Sequence, residues 1–156
     1  MRAETVATKL TFLQAFRTKR CLIVADSFYE WKRASKRRVP YRILLKSGEP
    51  FAFAGIWSLG HDPLGQPYTT FAIITTEANA VVAEVHNRMP VILHARDEAD
   101  WLNPRVSLDA AQALLVPFPA DLLTVYEVSP KVNAVAYNAP DLLQPIVHAE
   151  RLSGEE

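Results

Sequence analysis

The stretch Cys21-Leu22-Ile23-Val24-Ala25-Asp26-Ser27-Phe28-Tyr29-Glu30-Trp31-Lys32 decides how the chain is read. Residues 21–25 are an apolar run of strand length, Asp26-Ser27 has turn chemistry, and residues 28–32 resume as an aromatic strand. Side chains alternate along a strand, so Phe28, Glu30 and Lys32 share one face while Tyr29 and Trp31 share the other. Two readings of Glu30 stay open. It is either a solvated strand glutamate or a carboxylate held near apolar walls, where desolvation raises its pKa and suits it to proton transfer.

Working outward, Thr8 or Thr11 is placed to cap a helix with Phe12, Leu13 and Phe16 as its buried stripe. Arg17, Lys19 and Arg20 fall in its last turn, where cations suit the helix dipole. Downstream, the basic run 32–38 leads into residues 39–45 as the return strand of a hairpin, and Ser47-Gly48 turns the chain into an apolar strand over 51–57. Residues 60–67 read as a surface loop and 68–76 as a β-branched and aromatic strand. A short helical turn over 79–85 delivers His86, and 91–93 is a strand. Residues 97–102 form an amphipathic helix stopped by Asn103-Pro104, Ser107 caps a helix through Leu115, and 122–128 is the last strand. No repeat or internal linker interrupts this order. The expectation is one α+β domain over 1–150, followed by a disordered tail over 151–156.

A length of 156 residues suits one domain with a buried core, and 49% hydrophobic against 22% charged content places the chain among globular proteins. No apolar run approaches the ~18 residues of a membrane span. Arg2 and Glu4 stand where a signal peptide would be passing into its apolar region. A single cysteine, Cys21, rules out an intramolecular disulfide and fits a reducing cytoplasm. The net charge of zero argues against a generic nucleic-acid binder, but the charge is unevenly spread. Residues 1–46 hold twelve Lys and Arg against three Asp and Glu, a net +9, and residues 47–156 carry a net −9. Either the basic run faces a polyanion, or it is a solvated hairpin tip.

His61, His86, His94 and His148 show no metal-ligand spacing, so neither a metal nor another cofactor is expected. No glycine-rich phosphate loop or nucleophile elbow is present. Cys21 could pair with His86 as a thiol nucleophile, but the apolar run that follows it favours a buried, inert thiol.

A second stretch, Glu84-Val85-His86-Asn87-Arg88-Met89-Pro90-Val91-Ile92-Leu93, changes the weighting. With the first, it resembles the SRAP family, the abasic-site processing proteins also called SOS response-associated peptidases. There an Ala-Asp-Gly-aromatic-aromatic-Glu-Trp-Lys strand precedes His-acidic-Arg-Met-Pro-Val-Ile-Leu. Four further blocks match in order: Arg2-Ala3-Glu4-Thr5, the strand from Phe51 to Trp57, the run from Ile73 to Asn79, and Leu142-Leu143-Gln144-Pro145-Ile146. The resemblance implies a mixed, mostly antiparallel, barrel-like sheet with flanking short helices.

It also implies a reaction. In the family, an N-terminal cysteine joins the ring-opened aldehyde of an abasic deoxyribose in single-stranded DNA, its amine and thiol closing a thiazolidine. Glu30 matches the acid/base at the amine, which also helps remove the initiator methionine, and His86 matches the acid that protonates the sugar's ring oxygen. Arg2 is the leading phosphate-contact candidate, with Thr75 contributing through its hydroxyl and Arg88 standing beside His86. Two positions depart from the family: Ser27 replaces a glycine and Asn87 an acidic residue.

Members begin Met-Cys-Gly-Arg and carry an asparagine two residues before the arginine matched by Arg2. This sequence is therefore expected to be an SRAP domain without its N-terminal part, with those residues encoded upstream of Met1. Three functions stay open. In complete form it is a crosslinking abasic-site enzyme; alternatively it is a non-covalent single-stranded DNA-binding module or a non-functional remnant. A monomer with no membrane or metal partner is expected.

Overall fold

The computed structural model describes residues 1–34 and 37–146. The centre of the basic loop, His148 and the tail expected over 151–156 lie outside the described residues. Two short helices open the chain, α1 (Ala3–Val6) and α2 (Leu10–Thr18). Helix α2 buries Phe16 as the apolar stripe requires, but neither threonine caps it. Lys9 holds the N-cap position with no side-chain bond, while the Thr8 hydroxyl donates to the Thr5 carbonyl at 3.3 Å.

Strands β1 (Arg20–Ala25) and β2 (Phe28–Ala34) follow, then β3 (Arg37–Leu45), β4 (Phe51–His61) and β5 (Pro67–Ile73). Although β1 and β2 are consecutive, they do not pair. Strand β1 lies antiparallel to β4, and β2 antiparallel to β3, so Asp26-Ser27 carries the chain from one sheet to another. Ser27 supports that crossing with its own bonds, donating to Asp26 at 2.7 Å and accepting Arg42 Nε at 2.9 Å.

The expected strand over 68–76 breaks at Ile74, after which β6 (Thr75–Glu77) pairs with β7 (Arg88–Pro90). Between them stands α3 (Ala80–Ala83), and β8 (Ile92–Leu93) joins β4. Helices α4 (Glu98–Leu102) and α5 (Leu108–Ala113) precede β9 (Leu123–Glu127), which pairs with β3. Ser107 caps α5 as the sequence predicts, accepting the Ala110 N–H at 3.1 Å.

The fold is α+β with antiparallel pairing throughout its ladders. The sheet does not close into a barrel, which corrects that part of the expectation. Four strands organise on β4, β2-β3-β9 form a second sheet and β6-β7 a third. Residues 51–56 of β4 are all buried because both of its faces meet a core. Phe51 and Phe53 point into one cluster with Ile43, Val82, Met89 and Phe118. Ala54 and Ile56 point into the other, with Val6, Phe16, Trp101 and Leu115. No helix among the described residues is long and apolar enough to cross a membrane.

Candidate functional site: a carboxylate and an imidazole at a cationic cleft

The hairpin β2–β3 sets Glu30 by running out of core. Phe28 packs edge-on against Phe53, with ring centroids 5.6 Å apart, and Ile43 opposite it is fully buried. Glu30, next along that face and opposite Tyr41, is half-buried where the apolar cluster ends. The other face behaves as alternation requires: Tyr29 donates to the Leu142 carbonyl at 3.1 Å, and Trp31 Nε1 donates to Asn133 at 2.8 Å. Burial, with Glu127 and Glu84 adding to it, pushes the Tyr41 phenol above its usual range, so the neighbour across the ladder from Glu30 stays neutral.

His86 is delivered from the opposite wall. Asn79 caps α3 by accepting the Val82 N–H at 2.9 Å, and its amide donates to the Phe118 carbonyl at 2.6 Å. Val82 is buried in the cluster that holds Phe53, so the helix is pinned on both sides. The His86 N–H closes onto the Val82 carbonyl at 2.9 Å, which leaves the ring exposed. The Arg88 N–H donates to Nδ1 at 3.1 Å, and the Arg88 carbonyl oxygen lies 3.1 Å from the same atom.

Glu30 and His86, distant in sequence, line one cleft of about 130 Å³ with Trp31, Arg33 and Arg38. A groove of about 440 Å³ shares Trp31, Arg33 and His86 and adds Lys32, Glu84 and Asn87. Arg33 and Arg38 are cross-strand partners and both exposed, so two cations of the basic run form the rim of the cleft. The arrangement offers a proton acceptor, a titratable ring and cations placed for an anionic ligand.

Arg2, Thr75 and Arg88 form an adjoining group. Arg2 bridges to Thr75 and is exposed, with no side-chain hydrogen bond among the described residues. Thr75 donates its N–H and hydroxyl to the Met1 carbonyl at 2.7 and 3.1 Å. Arg88 forks onto Glu4 at 2.5 and 2.9 Å and donates to the Thr75 carbonyl at 2.7 Å. Its Nε is buried without a partner among the described residues. The Arg88 guanidinium beside Glu4 holds that carboxyl down to about 2. Glu4 was legible only as part of a matched block; its partner lies far along the chain, and no local spacing announces the pair.

The remaining cations divide. Arg20, expected in the last helical turn, instead opens β1 and faces inward, donating to the carbonyls of Trp101 and Asn103 at 2.6 Å and of Phe16 at 2.9 Å. Lys19 stands 5.1 Å over the Trp57 ring. Lys19 and Arg20 therefore serve the fold, while the exposed Arg2, Arg17 and hairpin cations stay available to a polyanion. Burial pushes the Cys21 thiol up, consistent with an inert side chain. No group of three or more His, Cys, Asp or Glu among the described residues is arranged to hold a metal.

Fold and cleft together define a small α+β protein with a carboxylate and an imidazole at a cationic site. The model of the family described as SOS response associated peptidase (SRAP) matches residues 1–135, and the chain belongs to that family. The abasic site processing protein YoqW of Bacillus subtilis (strain 168) is 46% identical over 145 residues, 92% of this chain and 65% of that protein. The abasic site processing protein HMCES of Rattus norvegicus is 30% identical over 172 residues, 92% of this chain and 48% of that one. A crystal structure of a protein from Bacteroides thetaiotaomicron superposes with a TM-score of 0.88 at 31% identity, covering 94% of this chain and 65% of the other. The chain thus spans 65% or less of the length of these relatives.

Proposed function

We propose that this domain recognises abasic sites in single-stranded DNA and supplies the acid–base pair for their covalent capture. One observation carries the reading: the glutamate and histidine expected to act on amine and sugar line a single cleft with Arg33 and Arg38. The names of the relatives agree with it. A closed abasic sugar opens when its ring oxygen is protonated as the bond from C1 to that oxygen breaks, which is the role of His86; the C1 hydroxyl gives up its proton to water as it becomes the aldehyde. Glu30 takes a proton from the attacking ammonium. The free amine condenses with the aldehyde, water leaves, and a neighbouring thiol adds its S–H across the C=N bond to close the ring.

That chemistry needs a 2-aminothiol, which only an N-terminal cysteine provides; Cys21, the sole cysteine here, lies inside β1 with its amine in a peptide bond. The covalent step is accordingly assigned to a polypeptide that carries such a cysteine. The 156 residues supply Glu30, His86 and DNA contacts from Arg2, Thr75 and Arg88 together with the hairpin cations Lys32, Arg33 and Arg38. Self-removal of an initiator methionine would use the same Glu30. We place the protein in the cytoplasm as a monomer. A non-covalent binding module is the second reading, favoured because the one cysteine of these residues, Cys21, lies within a strand.

The test uses a single-stranded oligonucleotide with one aldehydic abasic site. The 156-residue chain should bind with salt-sensitive affinity and leave no adduct on a denaturing gel. A version preceded by the N-terminal residues of the Bacillus relative should form one. In that version Glu30→Gln and His86→Ala should each slow capture by about 10²-fold. Parental rates in both variants would remove Glu30 and His86 from the chemistry.

A further inference from the structure

Glu84 is a carboxylate in a groove with basic side chains on its other wall. It lines the groove of about 440 Å³ with Lys32, Arg33, His86 and Asn87. Its side chain nevertheless makes no hydrogen bond and no ion pair among the described residues. An anion that no cation neutralises, set where phosphates are to be held, opposes binding through like-charge repulsion. Its place suggests what offsets that cost. Glu84 is the C-cap of α3, which is fixed by the Asn79 cap and by buried Val82, and the next residue, Val85, is buried as well. Glu84 and His86 thus flank one buried anchor, both exposed, on the same wall of the groove. The charge of Glu84 also reaches across the groove. Together with burial and Glu127 it raises the Tyr41 phenol, and Tyr41 pairs with Glu30 on the hairpin.

Opening a closed abasic sugar moves two protons. The ring oxygen gains one as its bond to C1 breaks, and the C1 hydroxyl loses one as the aldehyde forms. His86 serves the first transfer. The second calls for a base beside the same sugar, and an ionised carboxylate, which only accepts, meets that need. We propose that Glu84 is a further catalytic residue, which accepts a hydrogen bond from the C1 hydroxyl of the closed sugar and takes its proton in place of water. This rests on the reading of His86 as the sugar-side acid. The O–H electron pair becomes the second bond of the aldehyde C=O. The pair of the breaking bond stays on the ring oxygen, which takes the His86 proton and leaves as the C4 hydroxyl. Glu84 ends protonated and His86 neutral, and solvent restores both. The same contact selects the lesion, because an intact nucleotide carries its base at C1 and offers Glu84 no hydroxyl there.

Binding to the 156-residue chain tests the contact. Two single strands carry stable ring analogues: a cyclopentane with a hydroxyl at the C1 position, and the same ring without it. The parent should prefer the hydroxylated strand by about 5- to 10-fold, and Glu84→Ala should bind the two alike. An undiminished preference in Glu84→Ala, or none in the parent, overturns the proposal.

Capture kinetics test the proton transfer, in the version preceded by the N-terminal residues of the Bacillus relative. Glu84→Gln keeps the shape of the side chain and loses its charge. It should slow capture of the closed abasic site by about 10- to 10²-fold, while an acyclic aldehyde tethered to the same strand is captured at the parental rate. His86→Ala should share that pattern, whereas Glu30→Gln should slow both substrates. Equal slowing of both by Glu84→Gln would mark a structural role and overturn the proposal. Parental capture of both by Glu84→Gln alone defeats only the proposal; parental capture by His86→Ala defeats the functional reading and the proposal with it.

Discussion

The ion pair between Glu4 and Arg88 has a pH signature that can be read without any substrate. The carboxyl is held at about 2 in the folded chain against 4.5 for the free group, so the pair contributes stability that is present above pH ~4.5 and lost as pH falls towards ~2. Half of the Glu4 side chain is exposed, and solvent screening limits the contribution to about 1 kcal/mol or less. Urea denaturation should show Glu4→Gln less stable than the parent at pH 7 and equal to it near pH 2; a constant difference across that range would contradict the pairing. Arg20 makes the opposite kind of prediction. Its guanidinium serves four buried or part-buried carbonyls, so Arg20→Ala should cost about 1.5–3 kcal/mol or more of stability while leaving the salt slope of DNA binding unchanged. A flatter slope with native stability would return Arg20 to the DNA surface. At this scale Glu30 and His86 were legible because each sits in a matched block. The inward turn of Arg20 was not, since a cation in a last helical turn reads the same whether it faces solvent or carbonyls.

Among the elements, α3 has the clearest link between packing and site. It is four residues long and cannot be stable by propensity alone, so the Asn79 cap and the burial of Val82 hold it in place. Asn79→Ala removes the bond to Val82 and leaves the Phe118 carbonyl unmet, for a cost of about 1–2 kcal/mol in thermal or urea unfolding. Because His86 follows directly, its ring resonances should broaden or shift in the same variant; a destabilised protein with an unchanged His86 would detach helix from site. The helical turn over 79–85, the hairpin return strand and the cap at Ser107 could all be read locally, each from a cap, a turn or an alternation. Pairing could not. Asp26-Ser27 looks like a turn between neighbouring strands, yet β1 and β2 go to different sheets: Ile23 pairs opposite Phe53 on β4, and Phe28 pairs opposite Ile43 on β3. The barrel-like closure implied by the resemblance failed for the same reason: ladder partners are set by long-range packing that no short window contains.

Across the whole molecule, charge and apolar surface separate. The cations that line the cleft and its groove, Lys32, Arg33 and Arg38, all come from the hairpin, whereas the exposed Val24, Leu59, Tyr68 and Phe71 lie on β1, β4 and β5 and line neither. Phe71→Ala should therefore bind single-stranded DNA as the parent does, while Arg33→Ala and Arg38→Ala should each flatten the salt slope by about one unit. The uneven charge halves left a polyanion-facing surface and a solvated hairpin tip both open; the structure places Arg33 and Arg38 of that run at the cleft. The central claim is that the cleft between this hairpin and the His86 segment is where abasic DNA sits. The most direct measurement is an NMR titration of the 156-residue chain with a short single strand containing one tetrahydrofuran site. Saturable shifts at Glu30, Arg33, Arg38, His86 and Asn87, larger than those given by the same strand without the site, are the predicted result. Saturable shifts confined to β4 and β5, with the Glu30 and His86 resonances unmoved, would contradict it.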